Sequence, residues 1–410
     1  SYQLQNTKGQ EQTVALGVTP GYTISDVRAN GMEVPFSVSD YQEYNEAKLE
    51  VAIPAEEQVE LTLEYGGFPQ EDLPTMQGDK ELSGEYLCLE NAALSPRLMN
   101  VMPGEDGYPA TIEITLPAAM MAIPFGASEA EVVAEHGDGT KTWRYETNSA
   151  GGILYAGDYV REEIQAGGLT IDFYYGRKHQ AVMEAAGAAE AVRAVMDYCA
   201  GHYGSLAFGD GERLKLIQSR VAGGGYAGDG ASLLDEADFT AHNLGDAGKG
   251  GGAAEVMIHE LVHQWWGLGN MFDAAGPDSP WSAEGLTCYT TYRIVKELYG
   301  EDYAREHYVD QWRGEVEDYY LNFYVRRPEY LEALPEAERL AISNSLSGMR
   351  QYSEMPLKIL KAEELVGGEA AMDEILYGLF NRELDPMYPY LTYQEFLDAC
   401  GLTEEDLTLD

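Results

Sequence analysis

Cysteine and long apolar runs are both scarce in this chain. Its 410 residues include four cysteines, Cys88, Cys199, Cys288 and Cys400, which are far apart and form no C-x-x-C pair. They therefore indicate neither a cysteine-based metal site nor a disulfide framework. No run of about 18 uninterrupted apolar residues occurs, so the sequence predicts no membrane-spanning segment within this chain.

Positive charge is also scarce. The chain has 26 Lys and Arg residues against 70 Asp and Glu residues, which gives a formal net charge of −44 at pH 7. Phosphate groups would be repelled, so nucleic acid is excluded as a partner and anionic membrane surfaces are disfavoured. Such a field concentrates cationic peptides and divalent metal ions near the surface, although solubility alone accounts for most of these charges.

The chain begins at Ser1, without an initiator methionine or a signal peptide. We expect a trimmed part of a larger protein, located outside the cytoplasm or at the cell surface, with a cytoplasmic location as the alternative. The length favours two or more domains. No pattern in the sequence specifies an oligomeric state.

The first part of the chain, residues 1–178, has the alternation of apolar residues that is typical of β-strands. The alternating sets are Val14, Leu16 and Val18; Leu49, Val51 and Ile53; Val59, Leu61, Leu63 and Tyr65; and Ile112, Ile114 and Leu116. Asn30-Gly31 and Asp138-Gly139 are turn signals between such runs. Many short strands separated by turns predict an N-terminal antiparallel β-sandwich domain.

A second domain, residues 179–410, is predicted where the period of the apolar residues changes. Apolar residues at helical spacing between positions 182 and 199 predict one long helix that ends near Gly201. Strands are predicted over residues 213–220 and 231–236, and helical patterns dominate from Ala253 onward. The expected fold class is a multidomain α and β protein that becomes mainly helical toward its C-terminus.

Two glycine-rich stretches have the composition of phosphate-binding loops but lack the required context. Residues 223–228 fit G-x-G-x-x-G, yet a strand-like run follows them where a dinucleotide site requires the start of a helix. The stretch 245–252 contains Gly248-Lys249, but Gly250 stands where a phosphate loop requires Ser or Thr. We interpret both stretches as loops beside a substrate cleft.

Residues 259–263 read His-Glu-Leu-Val-His, an H-E-x-x-H motif within an apolar helical pattern. Residues four apart lie on one face of a helix, so His259 and His263 can direct their imidazole nitrogens to a common point. Glu260 projects about 100° around the helix, a placement that suits a general base. Glu284, in a second helical pattern, can supply a third ligand. Two histidines and one carboxylate leave an open zinc position, which is the catalytic arrangement, so we predict one Zn²⁺ per chain.

The alternative interpretation of this motif is a helix with two solvent-facing histidines and no metal. With seven histidines in the chain, a chance H-E-x-x-H is expected on the order of one time in a hundred. The apolar surroundings of the motif and the later carboxylate favour the metal site.

The sequence H-E-L-V-H-Q-W-W-G at 259–267, followed by W-x-x-E-G at 281–285, resembles the aminopeptidase N family of gluzincin zinc metallopeptidases. The resemblance covers nearly the whole chain and implies a β-sandwich followed by a thermolysin-like α+β catalytic domain. It implies that His259, His263 and Glu284 bind zinc and that Glu260 is the general base. Tyr352 corresponds to the transition-state tyrosine of the family's Y-x-K-G segment, although the Lys and Gly are absent here.

The residues that would bind the substrate depart from the family pattern. The family's G-x-M-E-N motif, which holds the free α-amino group of a peptide, aligns with residues 224–228, and the candidates are Gly224, Gly225, Tyr226 and Ala227. Ala227 replaces the glutamate of that motif. Glu90, in Leu89-Glu90-Asn91-Ala92, resembles a second amine-binding acid that the β domain contributes.

These features predict a zinc-dependent metallopeptidase that acts on peptide substrates, aminopeptidase-like but with altered recognition of the N-terminal amine. An endopeptidase is the first alternative, because the amine anchor is lost. The second is a catalytically silent, zinc-bearing extracytoplasmic binding domain of a larger membrane protein. The presence of the ligands, the base and the tyrosine together favours the enzyme.

Overall fold

The computed structural model of the protein describes residues 1–40, 47–69, 85–99, 109–126, 128–147, 152–206, 213–220, 225–228, 230–236, 253–273, 275–276 and 279–409. Contacts between Cα atoms divide the chain into two compact units, Ser1–Tyr159 and Val160–Asp410. Within the described residues, no helix combines the length and the apolar character needed to cross a bilayer. All four cysteines are free.

The first unit consists of antiparallel strands. They are β1 (Tyr2–Gln5), β2 (Gln12–Val18), β3 (Tyr22–Ala29), β4 (Met32–Glu33), β5 (Phe36–Asp40), β6 (Ala47–Ile53), β7 (Gln58–Gly67), β8 (Tyr86–Glu90), β9 (Arg97–Leu98), β10 (Ala110–Pro117), β11 (Met121–Pro124), β12 (Glu131–Glu135), β13 (Thr140–Thr147) and β14 (Ile153–Gly157). A short helix, Asn91–Leu94, follows β8. The described strands form sheets in the orders β1-β7-β3-β4, β5-β6-β2-β9, β10-β13-β12 and β11-β14-β8.

The first two of these sheets enclose one apolar core and the last two enclose another, as the alternation of the sequence predicts. Leu16 on β2 and Leu49 on β6 pack in one core with Val27 on β3 and Leu61 on β7, residues of the facing sheet. A second core joins residues of β8, β10, β11, β13 and β14. Side chains at alternate positions of a strand point to the same face, so each set fills one interior. The predicted β-sandwich is confirmed.

The predicted hairpin at Asn30-Gly31 is also confirmed. Ala29 on β3 pairs with Met32 on β4, and the two residues between them have positive φ angles of 50° and 78°. Two successive positive φ values define the turn whose twist matches that of the flanking strands, and Asn and Gly adopt them at the lowest cost.

The second unit begins with two strands that the sequence pattern, by its alternation alone, places in the first domain. Strands β15 (Tyr159–Ala166), β16 (Leu169–Gly176), β17 (Arg213–Ser219), β18 (Gly225–Gly228) and β19 (Ala231–Asp235) form one sheet in the order β15-β16-β17-β19-β18. Strands β16, β17 and β19 are parallel, and β18 is antiparallel to β19. Because β16 pairs with β17, the division between the units precedes the expected boundary at residue 178.

Helices cover this sheet and extend to the end of the chain. They are Gln180–Ala186, Ala188–Tyr203, Ala253–Val262, Ala283–Tyr299, Glu301–Ala304, Asp310–Leu321, Phe323–Arg326, Pro328–Glu332, Glu336–Met349, Met355–Val366, Glu369–Phe380 and Tyr393–Cys400. A 3₁₀ turn spans Arg177–His179, and π-helical turns span Arg305–Val309 and Arg350–Glu354. One apolar core joins the sheet to these helices.

The prediction of one long helix between residues 182 and 199 is wrong in one respect. It is two helices, Gln180–Ala186 and Ala188–Tyr203, separated by Gly187 at a φ of 67°. A left-handed glycine ends a helix by satisfying its last carbonyls, while the apolar spacing continues on both sides.

The glycine-rich stretches give no nucleotide-binding arrangement in the part of the chain that the structure describes. Gly225–Gly228 form strand β18, and β19 follows it as an antiparallel partner. No helix starts at this point, which agrees with the rejection of a dinucleotide site. Gly223, Gly224 and the stretch 245–252 lie outside the described residues.

A buried charge network ties three neighbouring strands of the second sheet together. Asp172 on β16 is completely buried, and it accepts hydrogen bonds from Arg161 on β15 at 2.8 Å and from Arg213 on β17 at 2.6 and 2.8 Å. Arg213 also binds the exposed Glu163 at 3.0 Å. Burial alone would raise the pKa of Asp172, but the hydrogen bonds from Arg213 and Arg161 lower it below its usual value.

We predict that Asp172→Asn lowers the free energy of unfolding by about 1–3 kcal/mol at neutral pH, because charged hydrogen bonds at a buried site are lost. The folded-state pKa of Asp172 is lower than the unfolded one, so its contribution is complete above pH of about 4 and is lost as the pH falls further. Urea titrations of both proteins at neutral and acidic pH measure this difference.

Glu163→Gln is the matched control, because it removes a carboxylate from the same arginine at a side chain that is 56% exposed. Its expected effect is below about 1 kcal/mol. Equal losses for the two variants would show that the buried carboxylate does not stabilise this sheet.

Candidate metal centre

Two helices bring the predicted ligands together. His259 lies in the helix Ala253–Val262, and His263 follows one turn later, with its backbone N–H donating to the His259 carbonyl at 3.2 Å. Glu284 lies in the first turn of the helix Ala283–Tyr299. The two Nε2 atoms are 3.1 Å apart, and Glu284 Oε2 lies 3.2 Å from that of His259 and 3.3 Å from that of His263. The three ligand atoms thus form a nearly equilateral triangle.

This triangle has the size that a tetrahedral zinc ion requires. Zinc bonds to nitrogen and oxygen are about 2.0–2.1 Å long, which places neighbouring ligand atoms of a tetrahedron about 3.3 Å apart. Glu284 Oε2 is buried, and it has no hydrogen-bond partner of normal geometry among the described residues. A buried carboxylate oxygen in that position needs a cation or a donor. His259, His263 and Glu284 therefore fit a metal ion.

A second layer of contacts orients His263. Its Nδ1 lies 3.0 Å from the Trp266 carbonyl oxygen and 3.2 Å from Thr287 Oγ1. A carbonyl oxygen can only accept, so Nδ1 carries the proton and the Nε2 lone pair is free for a metal. The carbonyl faces His263 because the chain leaves the helix here: Gly267 has a φ of 124°, a value that L side chains rarely adopt.

The ligands of the cluster shift one another's pKa values. Burial opposes ionisation of Glu284, but the two imidazoles beside it, whose Nε2 atoms lie 3.2 and 3.3 Å from Oε2, hold its pKa well below its usual value. Burial lowers the pKa of His259. Metal ions bind carboxylates and neutral imidazoles, so both shifts favour the ligand forms, whereas the Glu284 carboxylate outweighs burial and raises the pKa of His263.

Glu260 lies on the same helix beside the ligands, and strand β18 packs directly against its side chain. A Cβ atom added to Gly225 would lie 2.3 Å from Glu260 Cγ and 2.6 Å from Oε1. Only glycine leaves room for the carboxylate at that point. Burial raises the pKa of Glu260 to about 7, which is the range in which a carboxylate exchanges protons at neutral pH.

Tyr352 lies close to the cluster, in the turn Arg350–Glu354. Its ring is nearly parallel to that of His259, with the centroids 6.2 Å apart. Partial burial and the adjacent Glu284 carboxylate, with which it forms a hydrogen bond, raise the pKa of Tyr352. The hydroxyl therefore stays protonated at neutral pH and can donate a hydrogen bond. The side chain remains 43% exposed, so a ligand can reach it.

A close helix contact places Tyr352 near Glu284. A Cβ atom added to Gly285 would lie 2.4 Å from Cγ of Met355, which begins the helix after the Tyr352 turn. The glycine of the W-x-x-E-G pattern thus lets the two helices meet immediately beside the third ligand.

The structure brings together five of the predicted site residues: His259, Glu260, His263, Glu284 and Tyr352. Of the substrate-binding candidates, Gly225 contacts Glu260, while Tyr226 and Ala227 pair with Leu233 and Ser232 along β19. Gly224 lies outside the described residues. Glu90 lies on β8 of the first unit, and its side chain is likewise outside them.

Sequence analysis missed two features of the site. Thr287, which contacts His263, is one helical turn after Glu284, so helical spacing from the third ligand could have identified it. The role of Gly225 as space for the Glu260 carboxylate has no signal in the sequence.

We predict that the protein binds one zinc ion per chain and that His263→Ala abolishes stoichiometric binding, because two ligands cannot hold the ion at a catalytic site. Metal analysis after repletion and dialysis measures the stoichiometry. His136→Ala is the control, since His136 is an exposed histidine that contacts Thr142 at 2.8 Å in the first unit. Retention of zinc by His263→Ala equal to that of the control would contradict the assignment.

Comparison with solved structures supports the same architecture. A point mutant of an M1 zinc metallopeptidase from Deinococcus radiodurans is 18% identical, with 100% of this chain and 89% of that chain covered and a TM-score of 0.52. The same mutant bound to a Tyr-Ser-Ala substrate is 19% identical, with 100% of this chain and 89% of that chain covered and a TM-score of 0.52. Yeast LTA4 hydrolase in complex with bestatin is 13% identical, with 97% of this chain and 60% of that chain covered and a TM-score of 0.52.

The present chain therefore spans 60% of the length of the yeast enzyme. No family model matches the sequence. At these identities the comparison concerns the fold, and it confirms the multidomain arrangement of antiparallel β-sheets followed by an α+β part that is mainly helical. The protein has the fold of the M1 zinc metallopeptidases.

Proposed function

We propose that this protein is a zinc-dependent peptidase in which Glu260 and Tyr352 act beside the ligand triangle. The observation that carries the proposal is the convergence of His259, His263 and Glu284 at one point, with a buried carboxylate and a protonated phenol close by. A site that only holds a metal needs neither of the flanking groups.

Zinc held by these three residues would polarise a scissile carbonyl and make a water molecule more acidic. Glu260 takes the proton from the attacking water and later passes it to the leaving amine, so that water adds across the C–N bond. Tyr352 donates a hydrogen bond to the carbonyl oxygen as negative charge develops there. Thr287 and the Trp266 carbonyl hold His263 in the required tautomer.

Strand β18 supports an extended peptide as the substrate. It is the last strand of its sheet within the described residues, and Gly225 at its start contacts the Glu260 side chain. An edge strand offers backbone donors and acceptors to an added extended chain, which would then run past the catalytic carboxylate. One of the similar structures holds a Tyr-Ser-Ala substrate, which agrees with this substrate class.

Recognition of the substrate's N-terminus is proposed to be aminopeptidase-like but weaker than the resemblance implies. Ala227 on β18 provides no carboxylate where the family motif has a glutamate. A buried ammonium group without full carboxylate pairing keeps part of its desolvation cost. The same observation favours endopeptidase activity as the second candidate.

We predict that Glu260→Gln keeps zinc and loses most turnover, because an amide cannot accept the proton of water at neutral pH. Tyr352→Phe should lower kcat by roughly 100-fold, the usual loss when one donor to a developing oxyanion is removed. Turnover of a peptide panel and zinc content are measured on the same preparations.

Tyr377→Phe is the matched control, because Tyr377 is 51% exposed and lies on the helix Glu369–Phe380. It should leave turnover unchanged. Full activity of Glu260→Gln would rule out the proposed base, whereas full activity of Tyr352→Phe would show that another group donates to the carbonyl oxygen.

A further inference from the structure

Tyr352 lies in a π-helical turn, Arg350–Glu354, that joins the helices Glu336–Met349 and Met355–Val366. Such a turn contains one residue more than an α-helical turn, and it occurs mostly as a one-turn insertion within α-helices, frequently at functional sites. One residue corresponds to about 100° of rotation around a helix. If this turn relaxed to a regular helix, Tyr352 would change direction relative to Met355, which is packed against Gly285.

A line of charged side chains spans this turn. Arg350 forms a two-pronged ion pair with Glu354, with Nε 2.5 Å from Oε2 and Nη2 3.2 Å from Oε1. Lys358 continues the line, with Nζ 3.4 Å from Glu354 Oε1. The side chains of Glu354 and Lys358 are only 4% and 6% exposed. The first ion pair therefore joins the two ends of the π-helical turn, and the second ties its end to the next helix.

The outer end of this line is attached to the C-terminal part of the chain. Lys358 Nζ donates to Glu404, which also accepts a hydrogen bond from the Tyr393 hydroxyl. At the other end, the Arg350 guanidinium lies 5.5 Å from the centre of the Tyr319 ring. We call Arg350, Glu354, Lys358 and Glu404 the charge ladder.

Stability alone does not account for the charge ladder. Buried ion pairs contribute little net stability compared with apolar residues of similar volume, and their best-documented role is to select one geometry among several. Glu354 stands where the Y-x-K-G segment of the family has a lysine, and the cation comes from Lys358, one helical turn later. In this chain the positive charge of the segment therefore lies on Lys358, one turn later, and it is paired with Glu354 at the end of the π-helical turn.

We propose that the charge ladder holds the π-helical turn in the geometry that directs the Tyr352 hydroxyl toward the reacting carbonyl. Lys358 and Glu404 are positioning residues that act through Tyr352, so this inference rests on the proposed role of that tyrosine. It gives the segment around Glu404 a part in catalysis that its 54% exposed side chain does not suggest.

The test is a double-mutant cycle with Lys358→Met and Tyr352→Phe in the full chain, loaded with zinc. Lys358→Met should lower kcat roughly 10-fold or more with KM and zinc content unchanged, because a small displacement of a catalytic group costs that much. In the Tyr352→Phe background the same substitution should lower kcat less than about 2-fold, since the group that it positions is already absent. Lys358→Arg should restore most of the activity.

Lys361→Met is the matched control. Lys361 lies on the same helix and donates to the Thr408 carbonyl at 2.5 Å, so it contacts the same C-terminal part without joining the charge ladder. It should retain full kcat. If Lys358→Met does not fold, Glu404→Gln replaces it in the same cycle, because this change affects the exposed end of the ladder.

Equal losses from Lys358→Met in both backgrounds would overturn the inference, since the ladder would then act on stability or on another group. Unchanged kcat for Lys358→Met would overturn it as well. A failure of the proposed role of Tyr352 gives a different result, because Tyr352→Phe alone would then keep full activity, and a failure of the proposed function gives no zinc-dependent peptide cleavage by the unmodified protein.

Discussion

Two imidazole nitrogens and one carboxylate oxygen lie about 3.2 Å apart in a partly buried cluster, an arrangement that protein atoms alone do not stabilise well. Ionised oxygens in an apolar interior need a cation or a full set of donors. The packing of the second unit holds the three ligand atoms in this arrangement. The helices that carry His259 and Glu284 belong to one apolar core with the sheet, so the position of the ligands is fixed by packing rather than by the ion.

Close contacts at two glycines convert this cluster into a site that can act on a substrate. Gly225 lets an edge strand pass against the Glu260 carboxylate, and Gly285 lets the helix that follows the Tyr352 turn approach the third ligand. A methyl group at Gly225 would collide with the Glu260 side chain, and one at Gly285 would collide with the Met355 side chain. The base and the phenol therefore depend on the absence of side chains elsewhere.

Local periodicity explains which features could be predicted from sequence. The alternation of Leu49, Val51 and Ile53 and the four-residue spacing of His259 and His263 are set by neighbouring residues, and both appear in the structure. The domain boundary was not accessible in this way, because β15 and β16 alternate like the strands before them and their assignment depends on pairing with β17.

In the site, too, features set by neighbouring residues could be predicted and contacts between distant residues could not. The ligands and Glu260 follow from one motif, whereas the Gly225–Glu260 contact and the charge ladder join residues that are distant in sequence or lie in different elements. Gly187 is a different case: the apolar spacing is equally regular on both sides of it, so the periodic pattern does not register the break that its positive φ creates. Tertiary contacts and single backbone conformations account for what sequence patterns left out.

The most direct test of the account is digestion of a mixed library of free and N-acetylated peptides, with the products identified by mass spectrometry. Zinc-loaded protein should cleave peptide bonds, favour free N-termini only modestly, and lose all cleavage after treatment with a chelator. Cleavage that survives complete removal of zinc, or intact peptides in the presence of one zinc ion per chain, would contradict it.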